Sequence, residues 1–397
     1  MRKSIIALFL VASLLIITII FLANQKVKVE VSLSDDLTFD VYSEVELDSV
    51  IKSINGTFKN KKLNTKKVGK HSYTLNYKND DNRLASYTFT YEVVDKTPPV
   101  ISLSSLYYVD LGSTEDFAKE VFCGDNYDDN PTCQVVGNYD FNTLGDYPLV
   151  YEAIDSSGNV TKKDFTITVR EKSDYQGSIN KETVDFKDFY SENKTDNTLI
   201  GIDVSKWQGD IDYDKVKEAG VEFAFLRIGT RSGIDGEFIL DPKFKRNIEG
   251  FKKVGIKTGV YFYSYAKNKK DAKKEAEFVL KELNGNDLAL PIVFDWENFS
   301  IYQEFNLSFY HLEEVVKTFL TAIEKENYQG MLYGSKYYLE NVFTNNNYAT
   351  WLAHYTDTTT YQKDYNVWQK TDRGKVEGID TLVDLDILYL SLIHISE

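Results

Sequence analysis

The sequence predicts a multidomain chain: an N-terminal transmembrane helix, two small all-β sandwiches, and a TIM-like α/β barrel with few helices after its later strands. Three observations predict this class. An uncharged apolar run opens the chain, short alternating segments follow it, and strand-like runs then alternate with helical patterns. The 397 residues also exceed one ordinary domain of about 100 to 200 residues.

The N-terminus predicts a membrane anchor within residues 1–25. Arg2 and Lys3 precede an uncharged apolar run of 19 residues, from Ile5 to Ala23. As a helix this run would be about 28 Å long, close to the ~30 Å hydrocarbon core of a bilayer and longer than the core of a typical signal peptide. We therefore expect an uncleaved anchor on a protein that faces outward at the cell surface. A cleaved signal and a secreted protein are the alternative.

Two β domains are predicted, at residues 26–96 and 97–170. Segments such as SYTFTYEVVD and KDFTITVRE alternate in polarity between clusters of Gly, Asn, Asp and Pro, a pattern typical of antiparallel sandwiches. VGKHSYTLNY and LGDYPLVYEAID form a weak internal repeat with an offset of 76 residues. Proline at the junction cannot extend a central strand, which favours a boundary there. The second copy resembles bacterial Ig-like surface domains, which in that family are spacers or weak ligand binders.

Two cysteines, Cys123 and Cys133, flank a loop-like stretch in the second β domain. We expect them to form a disulfide, which for so short a loop contributes about 2 to 3 kcal/mol in the chain-entropy model and persists in an oxidising compartment. Two free thiols are the alternative. The four histidines have no zinc-ligand spacing, so neither a metal site nor a cofactor is expected.

The formal net charge of -15 argues against a nucleic-acid partner. Phosphate binding requires clustered Lys and Arg, and the sequence has no such cluster. A negative net charge does not by itself identify a substrate, because it also keeps a protein soluble.

A barrel is predicted for residues 198–390, after a polar linker at 171–197 and before a tail at 391–397 to which no structure is assigned. Eight apolar runs have the character of strands: LIGIDVS, FAFLRIG, IKTGVYFYS, ALPIVFD, GMLYG, TWLAHY, NVWQK and LVDLDIL. The clearest helix lies near 308–328, where apolar residues recur every three or four positions. Helices become sparse after Leu339. The count of strands suggests a closed barrel of parallel type.

An acidic pair follows the fourth of these runs. Asp295 and Glu297 lie two residues apart, and the period of two along a strand places both side chains on one face. At this spacing, about 7 Å between Cα atoms, coupling between like charges raises the pKa of one group while the other stays ionised. Glycoside hydrolysis needs such a pair, one group to protonate the leaving oxygen and one to stabilise the cationic sugar carbon or position the attacking group. Two acids that cap a turn are the alternative.

Two further aspartates are expected at the same mouth. Asp203 closes the first barrel strand and Asp384 lies in the last, and these strands are neighbours in a closed barrel. The four acids would then form one cluster at the face where barrel enzymes place their sites. Asp386 shares the strand face of Asp384 and is a rival for its role.

These residues and their surroundings resemble the family-25 glycoside hydrolases, lysozyme-type N-acetylmuramidases with an eight-stranded barrel. The resemblance covers nearly all of 198–389 and is carried by GIDVSKWQGDIDY, FAFLRIGT, DPKFKRNIEGFKKVGIKTGVYFYSYA, FDWEN, WLAHY and VWQKTDRGKVEGIDTLVDLDI. It implies that Glu297 is the acid/base, that Asp295 assists it, and that Asp203 and Asp384 complete an acidic ring. In that family the 2-acetamido group of the sugar helps to form the intermediate, oriented by the aspartate before the acid.

Aromatic side chains near the strand ends are candidates for stacking on sugar rings. Tyr261 and Trp368 match the motifs of the family best, whereas core packing competes with sugar binding for Trp296 and Tyr355. Arg227 ends the second strand and is expected to pair with the acidic cluster, because an isolated buried cation is costly.

The predicted function is hydrolysis of peptidoglycan glycan strands at the β-1,4 bond between N-acetylmuramic acid and N-acetylglucosamine, in cell-wall remodelling or lysis. The alternative is a non-catalytic adhesin that binds the cell wall, which the intact acid pair disfavours. A wall peptidase or amidase is disfavoured because the barrel segment contains neither cysteine nor zinc-spaced histidines.

Overall fold

The computed structural model describes residues 27–117, 121–172, 182–344 and 347–390. The chain divides into two compact units, Met1–Lys96 and Thr97–Glu397. The first unit contains the first β domain. The second contains the second β domain together with the barrel.

The first unit has short strands and one long hairpin. Its described elements are β1 Val31–Leu33, β2 Thr38–Asp40, α1 Leu47–Val50, β3 Ile51–Ile54, β4 Gly56–Phe58, β5 Gly69–Asn79 and β6 Leu84–Val94. The hairpin of β5 and β6 forms because its polarity alternates, so that Leu75, Tyr77 and Phe89 are buried while their neighbours are exposed or half-buried. Strand β2 pairs with β6 in parallel.

The second β domain has a similar layout. Its described strands are β7 Val100–Ser102, β8 Leu106–Asp110, β9 Phe122–Gly124, β10 Thr132–Val136, β11 Gly145–Ile154 and β12 Val160–Arg170. Strand β8 pairs with β12 in parallel, and β7 pairs with β9. Cys123 and Cys133 form the predicted disulfide.

The sheets correct the prediction of two Ig-like sandwiches. Among the described residues, each β domain has one four-stranded sheet of mixed direction and one two-stranded sheet. An Ig-type sandwich instead packs two antiparallel sheets of three or more strands. Alternating polarity predicts that a segment is a strand, but it does not specify the partner or the direction of pairing, and these differ from the prediction.

The barrel is a ring of eight strands in the described part of the chain. They are β14 Thr198–Val204, β15 Phe223–Arg231, β17 Lys257–Tyr263, β18 Ile292–Asp295, β19 Gly330–Ser335, β20 Ala349–Ala353, β21 Val367–Lys375 and β22 Val383–Tyr389. Two short strands pair at its margin, β13 Val184–Asp185 with β21 and β16 Phe238–Leu240 with β15. Each of the eight predicted runs contributes one strand of the ring.

Helices cover the earlier strands. The described ones are α2 Phe186–Asn193, α3 Tyr213–Glu218, α4 Phe244–Lys253, α5 Lys269–Leu283, α6 Tyr302–Phe305, α7 Phe309–Glu324 and α8 Lys336–Asn341, with 3-10 turns at Lys206–Gln208 and Asn298–Ile301. Helix α7 is the one predicted near 308–328. It begins after Ser308, whose side chain accepts a hydrogen bond from the His311 amide, and it buries one apolar face.

The barrel is not of the TIM type, which corrects the predicted fold class. Strand β22 runs antiparallel to both of its neighbours, β14 and β21. Antiparallel strands can be joined by short connections, whereas parallel strands need a longer crossover, usually a helix. This explains why β21 and β22 are joined without a helix. Strands β20 and β21 are parallel, and among the described residues they are joined by an irregular crossover without a helix.

The described structure does not contain the predicted N-terminal transmembrane helix. No helix among the described residues is long and apolar enough to cross a membrane. The anchor predicted at residues 1–25 lies outside those residues, as does the tail at 391–397.

The segment predicted to be a linker, 171–197, partly belongs to the barrel. Strand β13 and helix α2 lie within it, and Phe186 and Phe189 are buried in the barrel core. A strand of two residues and a helix of eight are too short to produce a sustained period in the sequence. Residues 173–181 of this segment lie outside the described residues.

Candidate active site

Strand alternation determines which side chains reach the mouth of the barrel. Val293 and Val367 lie in the core inside the ring, whereas Phe294 and Trp368, one position further, pack in the core between the ring and the helices. The next inward positions are Asp295 and Gln369, whose polar side chains therefore point into the mouth.

The inward-pointing side chains at the mouth line a cavity of about 280 Å³. All four predicted acids line it: Asp203, Asp295, Glu297 and Asp384. Aromatic side chains form much of the remaining wall, namely Trp207, Tyr261, Tyr263, Tyr333, Trp351 and Tyr355. The structure thus brings acids from three strand ends and one loop into one polar and aromatic cavity.

Asp295 and Glu297 form one side of the cavity. Asp295 ends β18 and is buried, whereas the Glu297 side chain is exposed at the rim, with protein around the carboxyl group on its other sides. Burial raises the pKa of both groups, and the charge of Glu297 raises the pKa of Asp295 further, opposed by Arg227. Two adjacent carboxyls that resist ionising together can share one proton, as a general acid beside a carboxylate requires.

Asp295 keeps one oxygen available. Its carboxyl group is in hydrogen-bond contact with Glu297. Asp295 Oδ1 is buried and has no hydrogen-bond partner among the described residues. Because an unpaired buried oxygen is costly, this atom is a candidate acceptor for a donor group of a substrate.

Asp203 and Asp384 form the opposite side, where they face each other on β14 and β22. Gln369 Nε2 donates a hydrogen bond of 2.7 Å to Asp203 Oδ2. Burial, followed by the charges of Asp384 and Asp386, raises the pKa of Asp203 well above its ordinary value. Burial and the charge of Asp372 raise the pKa of Asp384 to about 7.

Asp386 lies behind this pair and does not line the cavity. It is fully buried, and its Oδ1 accepts a hydrogen bond of 2.9 Å from Trp351 Nε1. Of the two rival aspartates on β22, Asp384 is therefore the one placed to meet a substrate.

Arg227 lines the cavity but pairs with Asp241, which was not among the predicted site residues. Its Nε and Nη2 both lie 2.8 Å from Oδ2 of the buried Asp241, which corrects the expected pairing with the acidic cluster. Asp241 follows the short strand β16, which is paired with the end of β15, so the hairpin delivers it next to Arg227. The positive charge still lowers the pKa of Asp295.

Two of the four predicted aromatic contacts reach the cavity. Tyr261 and Tyr355 line it, and Tyr355 is 52% exposed. Trp296 is fully buried and donates through Nε1 to the Ala266 carbonyl, and Trp368 donates through Nε1 to the His354 carbonyl. Both tryptophans lie on the outward face of their segments, so the prediction that they contact substrate is corrected.

Gln369 was not among the site residues predicted from the sequence. Besides its bond to Asp203, its Oε1 accepts hydrogen bonds from the hydroxyls of Tyr333, at 2.9 Å, and Tyr355, at 3.0 Å. This amide joins one acid to two aromatic walls. The strand period of two could have identified it, because Gln369 lies two positions after the inward-facing Val367.

Carboxyl groups in a cavity raise the question of a bound cation. In the barrel part of the described chain, no three His, Cys, Asp or Glu side chains bring ligand atoms close enough to share one ion. The acids instead lie in two pairs on opposite sides of the cavity.

Comparisons with known proteins match this half of the chain. The family "Glycosyl hydrolases family 25" matches residues 202–379. "Uncharacterized protein YegX" of Escherichia coli (strain K12) is 30% identical over 205 residues, 48% of this chain and 69% of that protein. The "Autolytic lysozyme" of Clostridium acetobutylicum is 27% identical over 191 residues, 47% of this chain and 55% of that protein. The solved structure of a family 25 glycosyl hydrolase from Bacillus anthracis is 20% identical with a TM-score of 0.44, covering 54% of this chain and 95% of that one.

Proposed function

Because this chain belongs to glycosyl hydrolases family 25 and is a glycoside hydrolase, we propose that it is an N-acetylmuramidase acting on peptidoglycan. The bond cleaved is the β-1,4 bond between N-acetylmuramic acid and N-acetylglucosamine. The similarity to an autolytic lysozyme favours a cell-wall glycan as substrate. The observation that carries the proposal is the Asp295–Glu297 pair at the mouth of a cavity with aromatic walls.

Glu297 is the general acid in this proposal. Its exposed position at the rim makes it accessible to a polymer lying across the mouth. The raised pKa keeps a proton on the group until it passes to the glycosidic oxygen as the C–O bond breaks. The same group then accepts a proton from the water that completes hydrolysis.

Asp295 assists by holding the acetamido group of the sugar. Its unpaired Oδ1 is suited to accept the amide N–H and so to direct the amide oxygen at the anomeric carbon. That oxygen forms a bond to carbon while the glycosidic bond breaks, and water later opens the cyclic intermediate. When Asp384, with a pKa raised to about 7, gives up its proton, the Asp203–Asp384 pair adds negative charge across the cavity, which favours the cationic sugar in the transition state.

We place this reaction outside the cytoplasm. The disulfide of Cys123 and Cys133 persists in an oxidising compartment, and peptidoglycan lies in such a compartment.

The proposal is tested with the purified protein, its Glu297→Gln variant and the exposed control Glu326→Gln, each incubated with peptidoglycan. Mass spectrometry then identifies the soluble fragments and their reducing ends. We expect new N-acetylmuramic acid reducing ends from the protein and the control, and a rate at least about 10³-fold lower with Glu297→Gln.

Other outcomes contradict the proposal in different ways. New N-acetylglucosamine reducing ends would mean that the other glycosidic bond is cut. Binding to the wall without any soluble product would favour an adhesin.

A further inference from the structure

Phe122 of the second β domain packs into the core of the barrel. It lies on β9 and is 5% exposed. Its ring is roughly edge-on to Phe299, Tyr302 and Tyr338, at centroid distances of 5.5, 5.1 and 5.4 Å, and stacked with Phe309 at 6.2 Å. The core of its own domain is a separate cluster. Phe122 therefore extends from one domain and packs among aromatic rings of the other.

The disulfide-closed loop, residues 123–133, meets the start of helix α7. Asp129 Oδ1 accepts a hydrogen bond of 2.6 Å from the Ser308 amide. The Asp125 carbonyl accepts one of 2.8 Å from the Phe309 amide. The Asn126 carbonyl accepts a third, of 3.3 Å, from the Tyr310 amide. The first amides of a helix have no partner within the helix, so this loop supplies partners for three amides at the start of α7.

The same contacts reach the segment that carries the acid. The Phe299 amide donates a hydrogen bond of 2.7 Å to the Glu297 carbonyl. Trp296 packs against Phe299 and Tyr302, at centroid distances of 5.1 and 5.8 Å. Glu297 thus lies between two residues of the aromatic cluster that Phe122 completes, in a segment with irregular backbone before the 3-10 turn.

We propose that the second β domain is a positioning element of the active site. Phe122 and the disulfide-closed loop hold the segment 296–311, and with it the Glu297 carboxyl, in the geometry that catalysis requires. This role rests on the proposed muramidase function. It differs from that of a spacer, because a spacer makes no contact on which the acid depends.

The test compares Phe122→Ala with Phe141→Ala in the full protein. Phe141 is also a buried phenylalanine of the second β domain, but it packs in that domain's own core. We expect Phe122→Ala to lower kcat on peptidoglycan about tenfold with KM changed less than twofold, because the acid moves while the sugar-binding walls remain. Phe141→Ala should leave kcat within twofold, and the conservative Phe122→Leu should restore most of the rate.

Hydrogen exchange of the backbone amides provides a readout that does not depend on activity. Exchange in 305–312 should accelerate at least tenfold in Phe122→Ala and stay unchanged in Phe141→Ala. If Phe122→Ala does not fold, Asp129→Ala replaces it, with about threefold lower kcat and faster exchange at Ser308 and Phe309.

The two proposals fail in different ways. Unchanged kcat and exchange in Phe122→Ala, or equal losses in both phenylalanine variants, would overturn the positioning role. A parent protein that releases no glycan fragments would overturn the muramidase, while the exchange comparison would still decide whether the β domain holds the segment.

Discussion

The two acid pairs of the cavity have the same chemistry but different supports. Asp295 and Glu297 come from one strand end and the irregular segment after it, which aromatic rings hold from outside the barrel. Asp203 and Asp384 face each other on antiparallel strands, and the amide of Gln369 binds Asp203.

This difference indicates different tasks for the two pairs. Glu297 is exposed at the rim and Asp295 has an oxygen without a partner, so a substrate can engage both groups. Asp203 is buried and already hydrogen-bonded, so a substrate has less access to it, and it acts mainly through the proton and charge that it shares with Asp384. Direct chemistry is therefore expected from the first pair and electrostatic adjustment from the second.

The largest effect that separates the pairs is expected from Asp295→Asn. The substitution keeps the shape but weakens the acceptor, and we expect kcat to fall about 10²- to 10³-fold. The matched variant Asp203→Asn should lower kcat only about tenfold. Steady-state rates on peptidoglycan measure both, and equal losses would show that the two pairs contribute alike.

A smaller effect is expected from Asp384→Asn, with a defined change in pH dependence. The pKa of Asp384 is raised to about 7, so the group ionises as pH rises through that value. A negative charge raises the pKa of nearby acids, and its removal lowers the pKa of the general acid. The alkaline limb of kcat/KM should therefore move to lower pH, with a loss of about threefold to tenfold at pH 7.

The pH profiles of Asp384→Asn and the parent protein decide this prediction. An alkaline limb that stays in place would mean that the charge of Asp384 does not affect the pKa of the general acid. A limb that moves to higher pH would contradict the sign of the interaction.

The smallest effect concerns a buried support of the first pair. Ser264 donates through Oγ to Glu275 Oε2, at 2.5 Å, and through its amide to the Asp295 carbonyl, at 2.7 Å. Burial raises the pKa of Glu275 from 4.5 to about 8. Between these values the folded state binds a proton that the unfolded state releases, so stability falls as pH rises through this window.

Glu275→Gln should remove this loss of folding stability at higher pH, because glutamine does not ionise. The variant and the parent should unfold at similar temperatures near pH 5, and the variant should be more stable near pH 8 by about 4 °C, or roughly 1 to 2 kcal/mol. Thermal unfolding at both pH values measures this, with Glu277→Gln on the exposed face of α5 as the control. A constant difference between Glu275→Gln and the parent across the pH range would refute the assignment.

Local sequence patterns were sufficient to predict several features of this protein. The eight barrel strands, helix α7 and the disulfide were predicted because each depends on residues close together in the chain, through polarity alternation, helical period or a short cysteine spacing. The placement of Asp203, Asp295 and Glu297 followed from the carboxyl ends of parallel strands, whereas Asp384 reaches the same cavity from the amino end of the antiparallel strand β22. The same alternation, applied strictly, would also have turned Trp296 and Trp368 outward and Gln369 inward.

What the sequence by itself determined was thus which segments form strands and helices and which residues end them, since these depend on neighbours in the chain. Only the tertiary structure decided the antiparallel direction of β22, the mixed sheets of the β domains, the pairing of Arg227 with Asp241, and the insertion of Phe122 into the barrel core. The physical reason is that polarity patterns record whether a side chain is buried but not which distant residue buries it. A contact such as that of Phe122 with Phe299 spans two domains, so neither local sequence contains the other half of it.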